Sequence, residues 1–327
     1  MKPIKLAILS STGTAQKRTL PAIVESGLVT VTAIHARNPE KLKAVAKAFG
    51  IEDTYTDVDQ LLDTADYDAV MICSPPFLHL KQAKEVLARD VPCLIEKPAA
   101  MTASECRELQ DAAQAKSTIV HVAHHLRHQN TYLAMQDAIA NGEIGRIVTA
   151  SAEWSFRLNR SAASSRWKLN PSLNGPTALT DAGIHCLDAV IGLMGSPELL
   201  SVGAQHEPED QTVETLDCLL RQGSGITHVR ASRVYGPYAN DLIVNGTEGY
   251  IFAPNFFTEA SSAEIEISIG NVSRSISRTS GNPYQLEVED FARAVRREAP
   301  LFPITNLDDA ARTLTVVDSV NSALGSA

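Results

Sequence analysis

The stretch Lys5-Leu6-Ala7-Ile8-Leu9-Ser10-Ser11-Thr12-Gly13-Thr14-Ala15 decides how this chain is read. Lys5–Leu9 is a short apolar run without alternation, which fits a strand buried on both faces. A polar turn follows at once, and then Gln16–Glu25 has helical period. The same unit recurs downstream. Val29–Ile34 (VTVTAI) is strand-like, and Pro39–Phe49 (PEKLKAVAKAF) reads as a helix that stops at Gly50. Ala69–Cys73, Val91–Ile95 and Thr118–Ala123 read as further strands, with helices over Leu80–Ala88 and Ser104–Ala115. Strands alternating with helices imply right-handed crossovers and a parallel sheet.

Beyond residue 122 the pattern changes. A helix (Thr131–Ala140) and a Gly142-Glu143-Ile144-Gly145 turn lead into alternating, turn-bounded segments at 147–156, 197–207, 213–221, 225–234, 240–246 and 263–279. These carry the signature of an antiparallel sheet. Helices at 286–298 and 306–324 close the chain. The expected fold class is α/β. A doubly wound, Rossmann-type parallel sheet occupies residues 1–122, and an α+β domain with an open, mainly antiparallel sheet occupies 123–327. No flexible tether separates them, so a cleft between packed domains is expected.

Composition bounds the function. The 327 residues suggest two domains at roughly 150 residues each. Apolar residues make up 44%, enough for a large core and against global disorder. The net charge of −9 argues against nucleic acid as a partner, while leaving room for a local positive pocket. No apolar run approaches the ~18 residues of a membrane span, and the N-terminal residues show no signal-peptide pattern. The expectation is a cytoplasmic protein with no membrane partner. The five cysteines (Cys73, Cys93, Cys106, Cys186, Cys218) form no CxxC pair, which predicts neither a disulfide framework nor a cysteine zinc site. His121, His124, His125 and His128 lack a supporting carboxylate or cysteine cluster, so no metal is expected there.

Several motifs carry chemistry. A dinucleotide fold wants G-x-G-x-x-G/A after its first strand, so that the pyrophosphate can approach helix amides. Here Ser10 and Thr12 stand at the first two glycine positions, Gly13 is one place late, and only Ala15 fits. The hydroxyls of Ser10, Ser11, Thr12 and Thr14 suit phosphate oxygens, and equally suit an ordinary polar loop. A non-glycine residue at positive φ costs ~1–2 kcal/mol, which would weaken cofactor binding roughly tenfold if it acted on the bound state alone. After the second strand comes Ile34-His35-Ala36-Arg37, with no acidic residue for ribose hydroxyls. Arg37 suits a 2′-phosphate, or is an exposed surface residue. Ser74-Pro75-Pro76-Phe77-Leu78-His79 and Glu96-Lys97-Pro98 follow two further strands on the same carboxyl edge. In Thr180-Asp181-Ala182-Gly183-Ile184-His185-Cys186-Leu187-Asp188, a helix would put Asp181 and His185 on one face. Histidine has the unperturbed pKa for proton transfer near neutrality. Gly183 costs ~1 kcal/mol relative to alanine in a helix and points to a close approach, by cofactor or substrate.

Taken in order, these pieces resemble the glucose–fructose oxidoreductase / inositol dehydrogenase (Gfo/Idh/MocA) family over nearly the whole chain. The resemblance runs through Leu20-Pro21-Ala22, Asn38-Pro39-Glu40-Lys41, Tyr67-Asp68-Ala69-Val70, Ser74-Pro75 with His79, Glu96-Lys97-Pro98, Leu126-Arg127, Gly142-Glu143-Ile144-Gly145, Asp181-x-Gly183-x-His185-x-x-Asp188 and Gly246-Thr247-Glu248-Gly249. It implies hydride transfer between nicotinamide and a sugar, polyol or related carbinol or carbonyl. The implied cofactor is NADP, given Arg37, with NAD as the other candidate, and the implied assembly is a homodimer or homotetramer. Lys97, Asp181 and His185 match its catalytic positions, and Lys97–Pro98 a bond often cis there. The resemblance assigns Ser10–Ala15, Arg37, Ser74, Pro75, His79, Glu96, Lys97 and Trp167 to the cofactor. It assigns Lys97, His125, Arg127, Asp181 and His185 to the substrate. Trp167-Lys168 stands where the family often has Trp-Arg. The degraded glycine turn supports a different reading, a non-enzymatic ligand-binding or regulatory member with impaired cofactor binding. A third reading is an enzyme that holds and recycles one nucleotide.

Overall fold

The computed structural model describes residues 2–236, 240–258, 262–279 and 281–325. The chain forms two compact units. The first comprises Met1–Ala100, Ser104–His128 and Asn282–Asp308; the second comprises Met101–Ala103, Gln129–Gly281 and Asp309–Ala327.

In the first unit six strands pair in parallel: β1 (Ile4–Leu9), β2 (Val29–His35), β3 (Asp53–Tyr55), β4 (Ala69–Ile72), β5 (Cys93–Glu96) and β6 (Val120–Ala123). Their order is β6-β5-β4-β1-β2-β3, with the two-residue strand Thr305–Asn306 antiparallel on the β6 edge. The order reverses between β1 and β4, which is where sheets of this kind bind ligands. Register levels the carboxyl ends: Leu9 pairs with Ile72, Ile72 with Ile95, and Glu96 with Ala123. The loops bearing the sequence motifs therefore leave one edge of the sheet.

The units depart from the expected boundary at 122/123 in three places, the first being Met101–Ala103, which groups with the second unit. The loop through His128 stays with the first unit, and Asn282–Asp308 returns to it. The cause of the return is the helix Pro283–Val295. Its Val288, Phe291 and Ala292, spaced i, i+3, i+4, pack into the core formed by Leu6, Ile8, Ile34 and Met71. The short polar strand Asp53–Tyr55 and the helix Val58–Thr64, capped by Asp57 on the Gln60 amide at 2.8 Å, have no strong apolar period and were not expected.

The second unit is built on an eight-stranded sheet. Its strands are β7 (Ile147–Ser155), β8 (Glu198–His206), β9 (Val213–Gln222), β10 (Gly225–Ser232), β11 (Leu242–Gly246), β12 (Gly249–Ala253), β13 (Ser262–Ile269) and β14 (Val272–Thr279). Their order is β14-β13-β12-β11-β7-β10-β9-β8. Every pairing is antiparallel except β7 with β10, which is parallel. Alternation sorts the two faces. Ala150, Ala152, Leu216, Leu220, Val229 and Ala231 are buried, and the helix Ile184–Met194 packs against the sheet, whereas Ser151, His228 and Arg230 are exposed. The helical stretch Pro171–Met194 is long and apolar enough by composition to cross a membrane, yet Asn174, Asp181, His185 and Asp188 interrupt it, so it is not a continuous apolar run. Most of it is buried inside the fold, as a core helix is.

Candidate active site

The first unit gathers its motif residues at the carboxyl edge. Ser10 adopts φ +61°, the left-handed conformation that a glycine would take at this position, and Gly13 adopts φ +77° with open space around it. The turn is held to β2: the Ser10 amide donates to His35 Nδ1 at 3.4 Å and the Ser11 amide to the His35 carbonyl at 2.8 Å. Ser11 is fully buried, and its hydroxyl has no partner among the described residues. The altered residues thus keep the open turn on which a pyrophosphate would sit, so the turn fits the group. His35 is buried at the end of β2, and burial pulls its pKa down. Arg37, two residues on, is exposed.

Ser74 and His79 serve the loops themselves. The Ser74 hydroxyl donates to Gln82 Oε1 at 2.6 Å. The His79 ring is fully buried, with Nδ1 2.8 Å from the Pro98 carbonyl and Nε2 2.7 Å from the Ser74 carbonyl. Burial pushes its pKa down to about 4 against the pull of the two carbonyls. The neutral ring has one N–H and donates to one carbonyl at a time. Sequence reading assigned His79 to the cofactor; the structure uses it to tie the loop after β4 to the loop after β5. The Lys97–Pro98 bond is cis. Glu96 accepts from the Lys97 amide at 3.3 Å, and Lys97 is half-buried. His125 and Arg127 are buried. His125 stacks on Tyr284 at 4.1 Å, and burial together with nearby Lys97 holds its pKa well below the usual range. Tyr284, from the returning helix, carried no sequence signal.

In the second unit Asp181 and His185 lie on one continuous helical stretch. Leu179–Gly183 forms a wider π-helical turn, and Ile184–Met194 continues as α-helix. Such turns are frequent at functional sites. Both side chains are buried, and the His185 ring lies 4.5 Å from that of Trp154. Gly183 does mark a close approach, and the approaching groups are protein. A Cβ there would meet Ala231 Cβ at 3.0 Å and Leu179 Cδ1 at 2.8 Å.

Asp181 is gripped by two cations. Lys168 Nζ reaches Oδ1 at 2.8 Å and Arg233 reaches Oδ2 at 3.0 Å. The Lys168 ammonium also sits 5.5 Å from the centre of the Trp167 ring. Arg233, 1% exposed, donates in addition to Glu214 Oε1 at 2.9 Å and to the Lys168 carbonyl at 3.1 Å. Arg160 bridges Glu214 and Asp210. Charges buried this deeply require partners, and here they form a chain of them. Arg233, Glu214 and Arg160 were missed in the sequence. For Arg233 and Glu214 the signal was strand parity, Arg233 continuing the buried series Val229, Ala231 and Glu214 the series Leu216, Cys218, Leu220, so a cation and an acid share the covered face; Arg160, in a loop, carried none.

Comparison with known proteins agrees with this architecture. Residues 4–124 match the GFO/IDH/MocA model described as an oxidoreductase family with a NAD-binding Rossmann fold, and residues 132–252 match the GFO/IDH/MocA C-terminal domain. The chain belongs to the GFO/IDH/MocA oxidoreductase family. A dTDP-3,4-didehydro-2,6-dideoxy-alpha-D-glucose 3-reductase of Streptomyces violaceoruber is 30% identical over 252 residues, 76% of this chain and 72% of that one. The Streptomyces antibioticus enzyme of the same name is 26% identical over 97% of this chain and 96% of its own. Among solved structures, a 3-ketoreductase from Actinomadura kijaniata in complex with NADP and TDP-benzene superposes with a TM-score of 0.87. It has 21% identity and covers 98% of both chains. As a GFO/IDH/MocA member the chain is an oxidoreductase with a nicotinamide-binding fold, and the non-enzymatic reading gives way. Among the described residues no group of three or more metal-ligating side chains is found.

Proposed function

We propose that this GFO/IDH/MocA protein is an NADP-preferring oxidoreductase that interconverts a carbinol and a carbonyl on a sugar or a related polyol. The observation that carries this reading is the state of Asp181. Both of its oxygens accept from cations, and it holds Lys168 and Arg233 one helical turn from His185. A carboxylate so engaged orients its neighbours and has no proton to give. That leaves His185, an imidazole packed against Trp154, to take the hydroxyl proton in oxidation and return it in reduction. Lys97 donates a hydrogen bond to the reacting oxygen and stabilises the charge that develops on it. When bound, the nicotinamide accepts or supplies the hydride. The turn Ser10–Ala15 holds the pyrophosphate, and Glu96 anchors the loop that presents Lys97. The exposed Arg37, beside a buried histidine where a ribose-binding carboxylate would stand, supports NADP over NAD. Sugar-reducing relatives support the substrate class.

The test is a titration of nucleotide-stripped protein with NADPH and with NADH, read by energy transfer from Trp154 and Trp167. Tight NADPH binding with weak NADH binding is expected. Equal affinities would remove Arg37 from the 2′-phosphate role, and binding of neither would overturn the cofactor assignment.

A further inference from the structure

The sugar oxidoreductase reading makes His185 the proton acceptor, and its ring lies against an indole. The His185 and Trp154 ring centres are 4.5 Å apart, with the planes at 50°. We propose that Trp154 is a positioning residue for this reaction. Its π-system holds the His185 ring in place and stabilises the imidazolium that forms when the ring takes the carbinol proton. This rests on that reading and adds the residue through which the base is tuned.

Strand parity sets the indole there. Trp154 continues the covered row of β7, in which the two preceding positions, Ala150 and Ala152, are small. β7 packs against the helix that carries His185, so the large ring fills the space beside the imidazole. Unlike the alanines it keeps part of its surface exposed, so the pair is not sealed in the core. The ring is also held. Phe257 lies nearly parallel to it, 6.1 Å away at 18°, and Phe256 meets Phe257 edge-on at 4.9 Å. Both phenylalanines are 1% exposed, so this aromatic row is fixed.

Electrostatics give the indole its role. An indole attracts a cation within about 6 Å of its ring centre, and more strongly where water is excluded. His185 is buried within that distance. The acids on its own stretch are Asp181, one turn before it, and Asp188, one turn after, both buried. Asp181 already accepts from Lys168 and from Arg233, which follows the end of β10, so much of its charge is answered before His185 takes a proton. Burial pushes the Cys186 thiol well above its usual range, so it stays neutral. β7, β10 and the helix Asn130–Ala140 pack on this stretch and bring no further charge to that side. On β7, Glu153 points to the opposite face from Trp154, and on β10, His228 and Arg230 are exposed. On the helix, Asp137 is exposed and Tyr132 packs on Phe256 at 6.3 Å. The indole is thus a contact that favours the charged ring without competing for its proton.

The experiment reads the His185 ring directly, so it needs neither cofactor nor substrate. The chain has two tryptophans, and Trp167→Phe leaves Trp154 as the emitter. An imidazolium touching an indole quenches its fluorescence by accepting an electron. Emission of nucleotide-stripped Trp167→Phe protein should fall as His185 takes up its proton, and adding His185→Gln should abolish that fall. An emission that ignores pH, or a fall that survives His185→Gln, would overturn the proposal. Histidine-ring NMR on the wild type, Trp154→Phe and Trp154→Leu then separates the π-system from bulk, with His185→Gln giving the assignment. Leucine keeps an apolar side chain against the ring but offers no π-system. The His185 midpoint should fall by about half a pH unit or more in Trp154→Leu, and by less in Trp154→Phe. The acids around His185 are the same in all of these proteins, so the difference belongs to the indole. Equal midpoints would overturn the proposal and leave the reaction assignment standing. Absence of NADPH binding in the wild type would instead overturn the cofactor assignment, with the indole-dependent titration intact.

Discussion

The two units hold their functional loops by different physical means. At the carboxyl edge of the first unit the fastening is neutral: the His79 imidazole lies between the Ser74 and Pro98 carbonyls, the Ser74 hydroxyl bonds the Gln82 amide, and the Ser10–Ala15 turn hangs from His35. Around Asp181 in the second unit the fastening is ionic, running from Lys168 through Asp181, Arg233 and Glu214 to Arg160 and Asp210. A neutral clamp costs little to bury and exerts no long-range field. A charged clamp is expensive to bury and hard to shorten by one member, yet it fixes a carboxylate in a single orientation. The comparison predicts where each unit breaks.

The largest effect belongs to the charged clamp. Arg233→Met leaves Asp181 and Glu214 buried without their shared guanidinium, and stability should fall by about 3–5 kcal/mol in urea unfolding. Lys168→Met removes a partner whose side chain is 30% exposed and should cost no more than about 1 kcal/mol. Adding Glu214→Leu to Arg233→Met should recover part of the loss. Wild-type stability in Arg233→Met would show that the second unit does not depend on its ion pairs. Next comes Lys97→Ala. Turnover should drop by about 10²–10³, equivalent to ~2.7–4 kcal/mol of barrier, with NADPH affinity nearly unchanged. Retained turnover would sink the role given to Lys97.

How much of this was legible depended on which unit carried it. The parallel sheet was plain from the apolar runs of β1, β2, β4, β5 and β6, because strands buried on both faces need no partner in sequence to be recognised. Asp181 and His185 were visible as a spacing, and Lys97 as the residue before a proline at a strand end. Arg233 and Glu214 were not, since an ion pair between β9 and the residue that follows β10 is a relation between separate segments, and parity alone says only that each is buried. The return of Pro283–Val295 to the first unit was hidden for the same reason: an amphipathic helix displays its apolar stripe without naming the core it fills. Gly183 was rightly read as crowded, but the crowding comes from Ala231 and Leu179 rather than from a ligand.

The neutral clamp should show itself through pH. The folded-state pKa of His79, about 4, lies below the ordinary histidine value of 6.5. Its contribution is therefore fully present above pH 6.5 and is lost as pH falls toward 4, because the unfolded chain binds the proton more readily. At pH 5 the loss is about 2 kcal/mol for this one group. His121, also pushed down to about 4 by burial, titrates in the same direction. Unfolding of the wild type and of His79→Gln at pH 7 and pH 5 tests this. The variant should lose less between the two pH values, and identical losses would mean that His79 is not buried neutral.

The smallest effect separates folding from binding at the nucleotide turn. Ser10 stands at φ +61°, the left-handed region in which a side chain is strained. Strain that the folded turn carries with or without cofactor leaves binding unchanged, whereas strain taken up only on binding would produce the roughly tenfold penalty that the missing glycine suggests. Ser10→Gly should therefore relieve ~1–2 kcal/mol of strain, offset in part by ~0.5–1 kcal/mol of added freedom in the unfolded chain. The net gain is about 1 kcal/mol or less in thermal unfolding, with NADPH affinity unchanged within about twofold. The opposite pattern, tenfold tighter NADPH binding at unchanged stability, would mean that the turn reaches this conformation only when the cofactor arrives. The first unit would then be shaped by its ligand, while the second is shaped by its own charges.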